Sequence, residues 1–235
     1  MNKQRTWNDT YGIYHVVFRE SIVNDHPKIK GRLIVISAPS GAGKTSVLFE
    51  ILKRHPEIKF SVSSTTRTPR EGEKEGINYH YITEEEFDAS IKQNDFLEWN
   101  TVHGNKYGTL KQSVDDEIGK GITIILDTDT IGAFNIKKQY PDALLIFILP
   151  PSPKVLHERL MSRDTESHKH IKQRLEAAPR EIARMFDYDY IVINDTLSTA
   201  VSQICAIIEA ENLRSTHVFS ALSEWRKYID GKIPG

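Results

Sequence analysis

Residues 33–52 read LIVISAPSGAGKTSVLFEIL, and two kinds of regular structure with a turn between them follow from that order. Leu33, Ile34, Val35 and Ile36 are apolar without alternation and rich in β-branched side chains, the pattern of a strand covered on both faces in a parallel sheet. Further on, Val47, Leu48, Ile51 and Leu52 recur at helical spacing, so a helix with one apolar face follows. Between them lies Ala38-Pro39-Ser40-Gly41-Ala42-Gly43-Lys44-Thr45. A glycine-rich turn that opens a helix points its backbone N–H groups at one spot, which makes an anion site without any side chain. Gly41 and Gly43 let the backbone approach a phosphate, Lys44 can reach the β- and γ-phosphates of a nucleotide, and the Thr45 hydroxyl can sit on Mg²⁺. The first glycine of the usual pattern is here Ala38, which is tolerated only with φ below zero.

The alternation of strand and helix continues along the chain. Ile122–Leu126, Leu144–Leu149 and Tyr190–Ile193 are further short apolar runs expected to be buried on both faces. Helical spacing links Ile171, Leu175, Ala178, Ile182 and Met185, and again Leu197, Val201, Ile204 and Ile208. Thr83-Glu84-Glu85-Glu86 has the form of a capping box, with Phe87 and Ile91 on one face behind it. The fold class is therefore α/β, a doubly wound parallel sheet between helices. Each apolar run ends in small or polar residues, and in such sheets ligands lie beyond the carboxyl ends of the strands.

Composition narrows the function. The chain has 235 residues, 31 Lys+Arg against 32 Asp+Glu, 27% charged and 39% hydrophobic residues. That balance suits an ordinary globular domain and argues against a dedicated nucleic-acid binder, whose affinity rests on a basic surface. No apolar run approaches the roughly 18 residues of a membrane helix, and the start MNKQRTWNDT lacks a signal-peptide core. The lone cysteine, Cys205, excludes an internal disulfide, and its place on a helical apolar stripe makes it a core residue; a reducing, cytoplasmic location is expected.

The stretch from Ser61 to about Thr109 differs from the rest: SVSSTTRTPR, a glycine- and charge-rich link, and the alternating Tyr79-His80-Tyr81-Ile82 suggest a small insert of short strands. Together with the phosphate loop, the segments SVSSTTRTPREGEKEGINYHY, DFLEW, HGNKYGT, ILDTDTIGA, IFILPPS and YIVIND occur in an order and spacing that resemble the guanylate kinases, P-loop kinases of nucleoside monophosphates. The similarity spans about Gly31 to Ser215.

The resemblance implies a three-layer P-loop kinase fold with a parallel core sheet. Residues 31–215 would form the kinase-like domain, with 63–109 as a GMP-binding subdomain and about 159–180 as a helical lid. It implies ATP and GMP or dGMP as substrates, Mg²⁺ as cofactor, no nucleic-acid or membrane partner, and leaves monomer and homo-oligomer both open. On the GMP side it assigns Ser63, Arg67, Arg70, Glu73, Tyr79, Glu98, Tyr107, Thr109 and Asp127. Arg67 and Arg70 can offer planar forks to the phosphate, Glu98 can accept the paired N1–H and N2–H of guanine, and Ser63 and Thr109 can donate to its O6. On the ATP side it adds Asn194 near the adenine to residues 38–45, and Thr45 with Asp127, through water, at the metal. Lys44, Arg163 and Arg174 would neutralise the transferring phosphoryl group. Residues 161–175 hold four basic side chains (Arg163, Lys169, Lys172, Arg174) against two acidic ones (Asp164, Glu166), where phosphates should arrive.

Several positions depart from the family's pattern. Met161 replaces an arginine and the paired glycines around Arg163 are missing, Ile131 replaces a glutamine, and Lys106 stands where a second tyrosine is common. Pro179 falls inside a helical pattern, so a kink or break is expected there. Residues 1–30 form an N-terminal extension carrying Trp7, Tyr11, Tyr14 and Phe18, and in the tail 216–235 Val218, Leu222, Trp225 and Ile229 step as in an amphipathic helix. Two other readings compete: a non-catalytic interaction domain binding a phosphorylated peptide in the GMP cleft, and a kinase for another phosphate ester. Retention of Lys44, Thr45, Arg163 and Arg174 argues against the first, and Glu98 with Thr109 against the second.

Overall fold

The computed structural model describes residues 31–70, 72–102, 104–162, 168–215, 217, 218 and 222–231. The chain divides into two compact units, and the described part of the larger one runs from Gly31 to Glu209. A five-stranded parallel sheet forms its centre, in the order β2-β7-β1-β8-β9. Its strands are β1 (Leu33–Ser37), β2 (Lys59–Phe60), β7 (Ile124–Asp127), β8 (Leu144–Leu149) and β9 (Tyr190–Ile193). The short β2 carries no long apolar run and was invisible to a hydrophobicity pattern, since both its residues are exposed.

Helices cover the two faces of this sheet. On one side Ile34, Ile36, Ile146 and Ile148 pack with Val47, Leu48 and Ile51 of α1 (Lys44–Arg54), and with Val201, Ile204, Cys205 and Ile208 of α7 (Leu197–Asn212). On the other side Leu33, Val35, Leu145 and Phe147 pack with Val114 and Ile118 of α3 (Lys111–Gly119), and with Ala133 and Ile136 of α4 (Thr130–Gln139). Alternate residues of β1 thus feed two separate cores, which is why its sequence does not alternate. The edge strand β9 departs from the expected double burial. Val192 is buried, but Ile191 and Ile193 are 41% and 53% exposed, because only one neighbouring strand and one covered face are available at the edge.

A second sheet of four strands, in the order β4-β3-β6-β5, is built from residues 64–110. It comprises β3 (Ser64–Thr65), β4 (His80–Tyr81), β5 (Phe96–Val102) and β6 (Asn105–Leu110). The helix α2 (Glu84–Gln93) starts at the capping box: Thr83 accepts the Glu86 N–H and Glu86 accepts the Thr83 N–H. Its Phe87 stacks on Phe96 with ring centroids 4.3 Å apart. Lys106, on β6, bridges Glu84 and Asp88 of α2 at 2.7 and 2.5 Å.

Beyond β8 come α5 (Pro153–Met161) and α6 (His168–Ala183). Of the kink or break expected at Pro179, the break does not occur: α6 runs on to Ala183 and is followed by a 3₁₀ turn, Arg184–Asp187. Pro179 faces solvent, while Ile171 and Ala178 pack with Leu156 and Leu160 of α5 and hold both halves of the helix on one surface. In the smaller unit, α8 (Ser223–Ile229) leaves Trp225 and Ile229 exposed. Residues 1–30 lie outside the described residues. No described helix is long and apolar enough to cross a membrane.

Candidate active site

The sheet register sets up the phosphate side. β1 pairs with β7 so that Ile36 lies beside Asp127, and the chain leaves β1 through Ser37 into the loop that ends at α1. Asp127, at the carboxyl end of β7, therefore stands next to the loop, and its Oδ1 is in direct contact with Nζ of Lys44, the first residue of α1. Burial draws the Lys44 ammonium down to about 8, while the charges of Asp129 and Glu181 pull the other way. Gly41 and Gly43 have φ of 90° and 87°, in the left-handed region, and Ala38 does not.

Three side chains brace this loop from outside. Asn194, at the end of β9, is buried and donates from Nδ2 to the Ala42 carbonyl at 2.7 Å. Arg159 of α5 reaches the Asn194 carbonyl at 3.1 Å and the Ala42 carbonyl at 3.5 Å. Arg174 of α6 donates to Ser40 Oγ at 2.8 Å. Asn194, expected near adenine, thus spends its amide nitrogen on the loop backbone. Thr45 is exposed at the start of α1. Arg163 lies outside the described residues.

The second sheet supplies a polar cluster. In the β5–β6 ladder Glu98 lies opposite Thr109, after an irregularity between Phe96 and Glu98 that turns Leu97 into the core. Thr109 Oγ1 donates to Glu98 Oε1 at 3.0 Å, and Ser63 Oγ lies 3.2 Å from Thr109 Oγ1. Thr128 Oγ1 donates to the other oxygen, Glu98 Oε2, at 3.3 Å. Burial, and secondarily Asp129, push the Glu98 carboxyl above its ordinary value, against the hydrogen bonds from Thr109 and Thr128.

A third group surrounds Arg67. Its Nη2 lies 2.9 Å from both carboxylate oxygens of Glu73, which also accepts the Arg70 N–H and the Tyr81 hydroxyl, each at 2.8 Å. These donors, Arg67 first, hold Glu73 down at about 2, and Glu73 with Tyr107 holds the guanidinium charged. The Arg67 guanidinium lies 5.4 Å from the centre of the Tyr79 ring, and Tyr79 meets Tyr107 edge-on at 5.8 Å. The Arg70 side chain is exposed.

Of the residues singled out in the sequence, Ser63, Glu98 and Thr109 form one cluster, Arg67, Glu73, Tyr79 and Tyr107 a second, and Ser40, Lys44, Asp127 and Arg174 a third. Four others escaped notice. Asp129 caps α4 through the Gly132 N–H at 2.8 Å and accepts from Asn100 Nδ2 at 3.2 Å. Thr128 reaches Glu98, Arg159 braces the loop, and Glu181 of α6 senses Lys44 and the Ser40 N–H. A sequence signal existed for Asp129, an N-cap type just before a helical run. None existed for Arg159 or Glu181, which look like ordinary charged helix residues until the helices are packed.

Comparison with known proteins identifies relatives of the chain. The family model described as "Guanylate kinase" matches residues 30–211. A guanylate kinase of Carboxydothermus hydrogenoformans is 44% identical over 80% of this chain and 93% of its own length. One from Thermotoga maritima is 41% identical over 86% of this chain and 98% of its own. A crystal structure of guanylate kinase from Anaplasma phagocytophilum superposes with a TM-score of 0.68 at 28% identity, covering 90% of this chain and 100% of that one.

Proposed function

The chain belongs to the guanylate kinase family, and from that premise we propose that it transfers the γ-phosphoryl group of ATP directly to GMP or dGMP, giving ADP with GDP or dGDP. Its class is nucleoside monophosphate kinase, an ATP:GMP phosphotransferase. One observation carries the assignment. The segment Asp127-Thr128-Asp129 touches the lysine of the phosphate loop at one end and Glu98 at its middle. A nucleotide whose base lies against Glu98 and whose phosphate points toward Lys44 suits that arrangement.

In this reading Glu98 accepts guanine N1–H and N2–H, while the Thr109 and Ser63 hydroxyls serve O6. The GMP phosphate is held by Arg67 and Arg70 with Tyr79 and Tyr107, and Glu73 keeps Arg67 in place. Burial of groups matched to guanine makes the site reject AMP by about 10⁴-fold, because mismatched donors would be left unpaired. The attacking phosphate needs no general base, since its second pKa is about 6 and it is already ionised at neutral pH. Lys44, Arg174 and Arg163 act on the charge that spreads over the transferring oxygens. The residues also suit Mg²⁺: the Thr45 hydroxyl and the Asp127 carboxylate are hard oxygen donors beside the loop, as a cation that keeps several waters and binds phosphate oxygens requires. Bound there with ATP, it supplies neutralisation of phosphate charge. Residues 63–109 act as the GMP-binding part and about 159–180 as the lid. The lone, buried Cys205 and the small phosphorylated substrates suit work in the cytoplasm.

The test is a coupled assay of ADP release with GMP, dGMP, AMP, UMP and CMP in turn. Turnover on GMP and dGMP alone is expected. Equal rates on all five, or none on GMP, defeats the proposal.

A further inference from the structure

We infer that Thr128 is a positioning residue for guanine recognition, its hydroxyl fixing the second oxygen of Glu98, and that Gly132 is the gap that admits it. The inference rests on Glu98 being the guanine acceptor.

Glu98 is held at both oxygens by hydroxyls from different parts of the fold: Thr109 of β6 at Oε1, 3.0 Å, and Thr128 of the β7–α4 loop at Oε2, 3.3 Å. An ionised carboxylate accepts at about four lone-pair sites, so one hydroxyl on each oxygen leaves each able to accept again. Two parallel N–H donors of a base need that capacity. The terminal torsion of a glutamate is broad, so an anchor at Oε1 alone leaves the plane of the carboxylate free to turn. The second anchor removes that freedom before the base arrives.

Gly132 explains how Thr128 gets there. A methyl group on Gly132 would fall 2.2 Å from Thr128 Oγ1 and 3.3 Å from Glu98 Oε2. Glycine is a poor residue for the first turn of a helix, and its place here is accounted for by this close approach. A parallel link strengthens the same joint. Asn100, two residues beyond Glu98 on β5 and so on the same face, donates to Asp129 Oδ2 at 3.2 Å. Consecutive residues of one loop, Thr128 and Asp129, thereby receive consecutive same-face residues of β5, and the preceding Asp127 meets Lys44. Thr128 sets the base-reading carboxylate relative to the phosphate side of the site.

The test is steady-state kinetics of the full chain, with ATP varied at saturating GMP, and with GMP or inosine monophosphate, which lacks the 2-amino donor, varied at saturating ATP. Thr128→Val removes the hydroxyl at nearly constant shape, and Thr128→Ser keeps it. The valine variant should raise KM for GMP about tenfold, in line with loss of a hydrogen bond to a charged group. Its kcat should stay within about twofold, its KM for ATP should not move, and its preference for GMP over the inosine nucleotide should fall. Serine should restore most of the loss. A valine variant with wild-type KM and preference overturns the inference, and so does a serine variant as impaired as valine, which would mean the methyl packing matters instead. If valine does not fold, Thr128→Ala carries the same expectations. A wild-type protein that phosphorylates AMP as well as GMP sinks the parent reading of Glu98; a selective wild type with an indifferent Thr128→Val sinks only this one.

Discussion

Lys44, which opens the helix after the phosphate loop, and Asp127, which ends the neighbouring strand, are in direct contact. The contact follows from topology: β1 and β7 are parallel neighbours, so their carboxyl ends, and whatever leaves them, meet at the same edge of the sheet. It holds the ammonium of a partly buried lysine beside the loop.

Replacing Lys44 tests the catalytic half of the site. Lys44→Ala should lower kcat by roughly 10³-fold, the size of effect seen when one preorganised donor to developing charge is removed. GMP affinity measured by calorimetry should change by less than about threefold, since uniform binding of the acceptor does not pass through this residue. Because burial draws the ammonium down to about 8, it is protonated below that pH and loses its charge above it. The value of kcat/KM for ATP should therefore fall as pH rises through about 8. Asp129→Asn, which removes the first of the two charges that favour the ammonium, should move that limb to lower pH. A pH profile unchanged by Asp129→Asn would contradict the coupling.

Glu73 gives a prediction about stability. Arg67, the Arg70 N–H and the Tyr81 hydroxyl hold its carboxyl down at about 2, against an ordinary 4.5. A carboxylate with a lowered folded-state pKa contributes stability that is present above the unfolded value and is lost as pH falls through the folded one. Acid unfolding of the wild type should thus steepen between about 4.5 and about 2. Glu73→Gln should remove part of that steepening and raise KM for GMP, because Arg67 loses the acceptor that orients it. Urea unfolding at a series of pH values checks the first expectation. Parallel slopes for wild type and variant would refute it.

The doubly wound sheet was legible in the apolar runs because β1, β7 and β8 are covered on both faces and say so without interruption. β9 reads the same way in sequence, yet half its side chains are exposed: a run of Tyr-Ile-Val-Ile does not reveal that it lies at an edge. The phosphate loop was legible because its chemistry is local, contained in eight consecutive residues. The acceptor side was legible only by its resemblance to a family, because Glu98, Thr109 and Ser63 come together through strand pairing across separations of 11 and 46 residues. Thr128 and Arg159 were missed for the same reason, with no local pattern to mark them. Of the kink or break expected at Pro179, the break did not occur because tertiary packing of Ile171 and Ala178 on α5 outweighs one lost backbone hydrogen bond.

Glu98 should give substrate binding its own pH dependence. Burial and Asp129 raise its carboxyl above the ordinary value, so in the free protein the acceptor form is lost at a higher pH than for a solvated glutamate. KM for GMP should fall as pH rises through that pKa and then level off. Glu98→Gln carries one acceptor and two donors, cannot match both guanine N–H groups, and should flatten the profile while cutting the GMP-over-AMP preference by at least about tenfold. An intact preference in Glu98→Gln would remove the residue from base recognition.

The loop itself can be tested by a pair of substitutions. Gly43 has φ of 87°, and a methyl group on it would fall 2.5 Å from Asn194 Nδ2. Gly43→Ala therefore meets two separate costs: about 1–2 kcal/mol for a left-handed alanine, and a collision with a buried amide that braces the Ala42 carbonyl. Asn194→Ala removes the collision but not the backbone strain, and by itself it sacrifices one buried hydrogen bond, roughly 1–3 kcal/mol. Thermal unfolding of the two single variants and the double variant should be non-additive, with Gly43→Ala costing less in the Asn194→Ala background. At roughly 2–4 °C per kcal/mol for a chain of this size, the saving is measurable as a shift in Tm. Because Asn194 acts on the loop from behind, Asn194→Ala should also raise KM for ATP while leaving KM for GMP in place. Strict additivity of the two substitutions would show that the amide yields freely, and that Asn194 does not hold the loop.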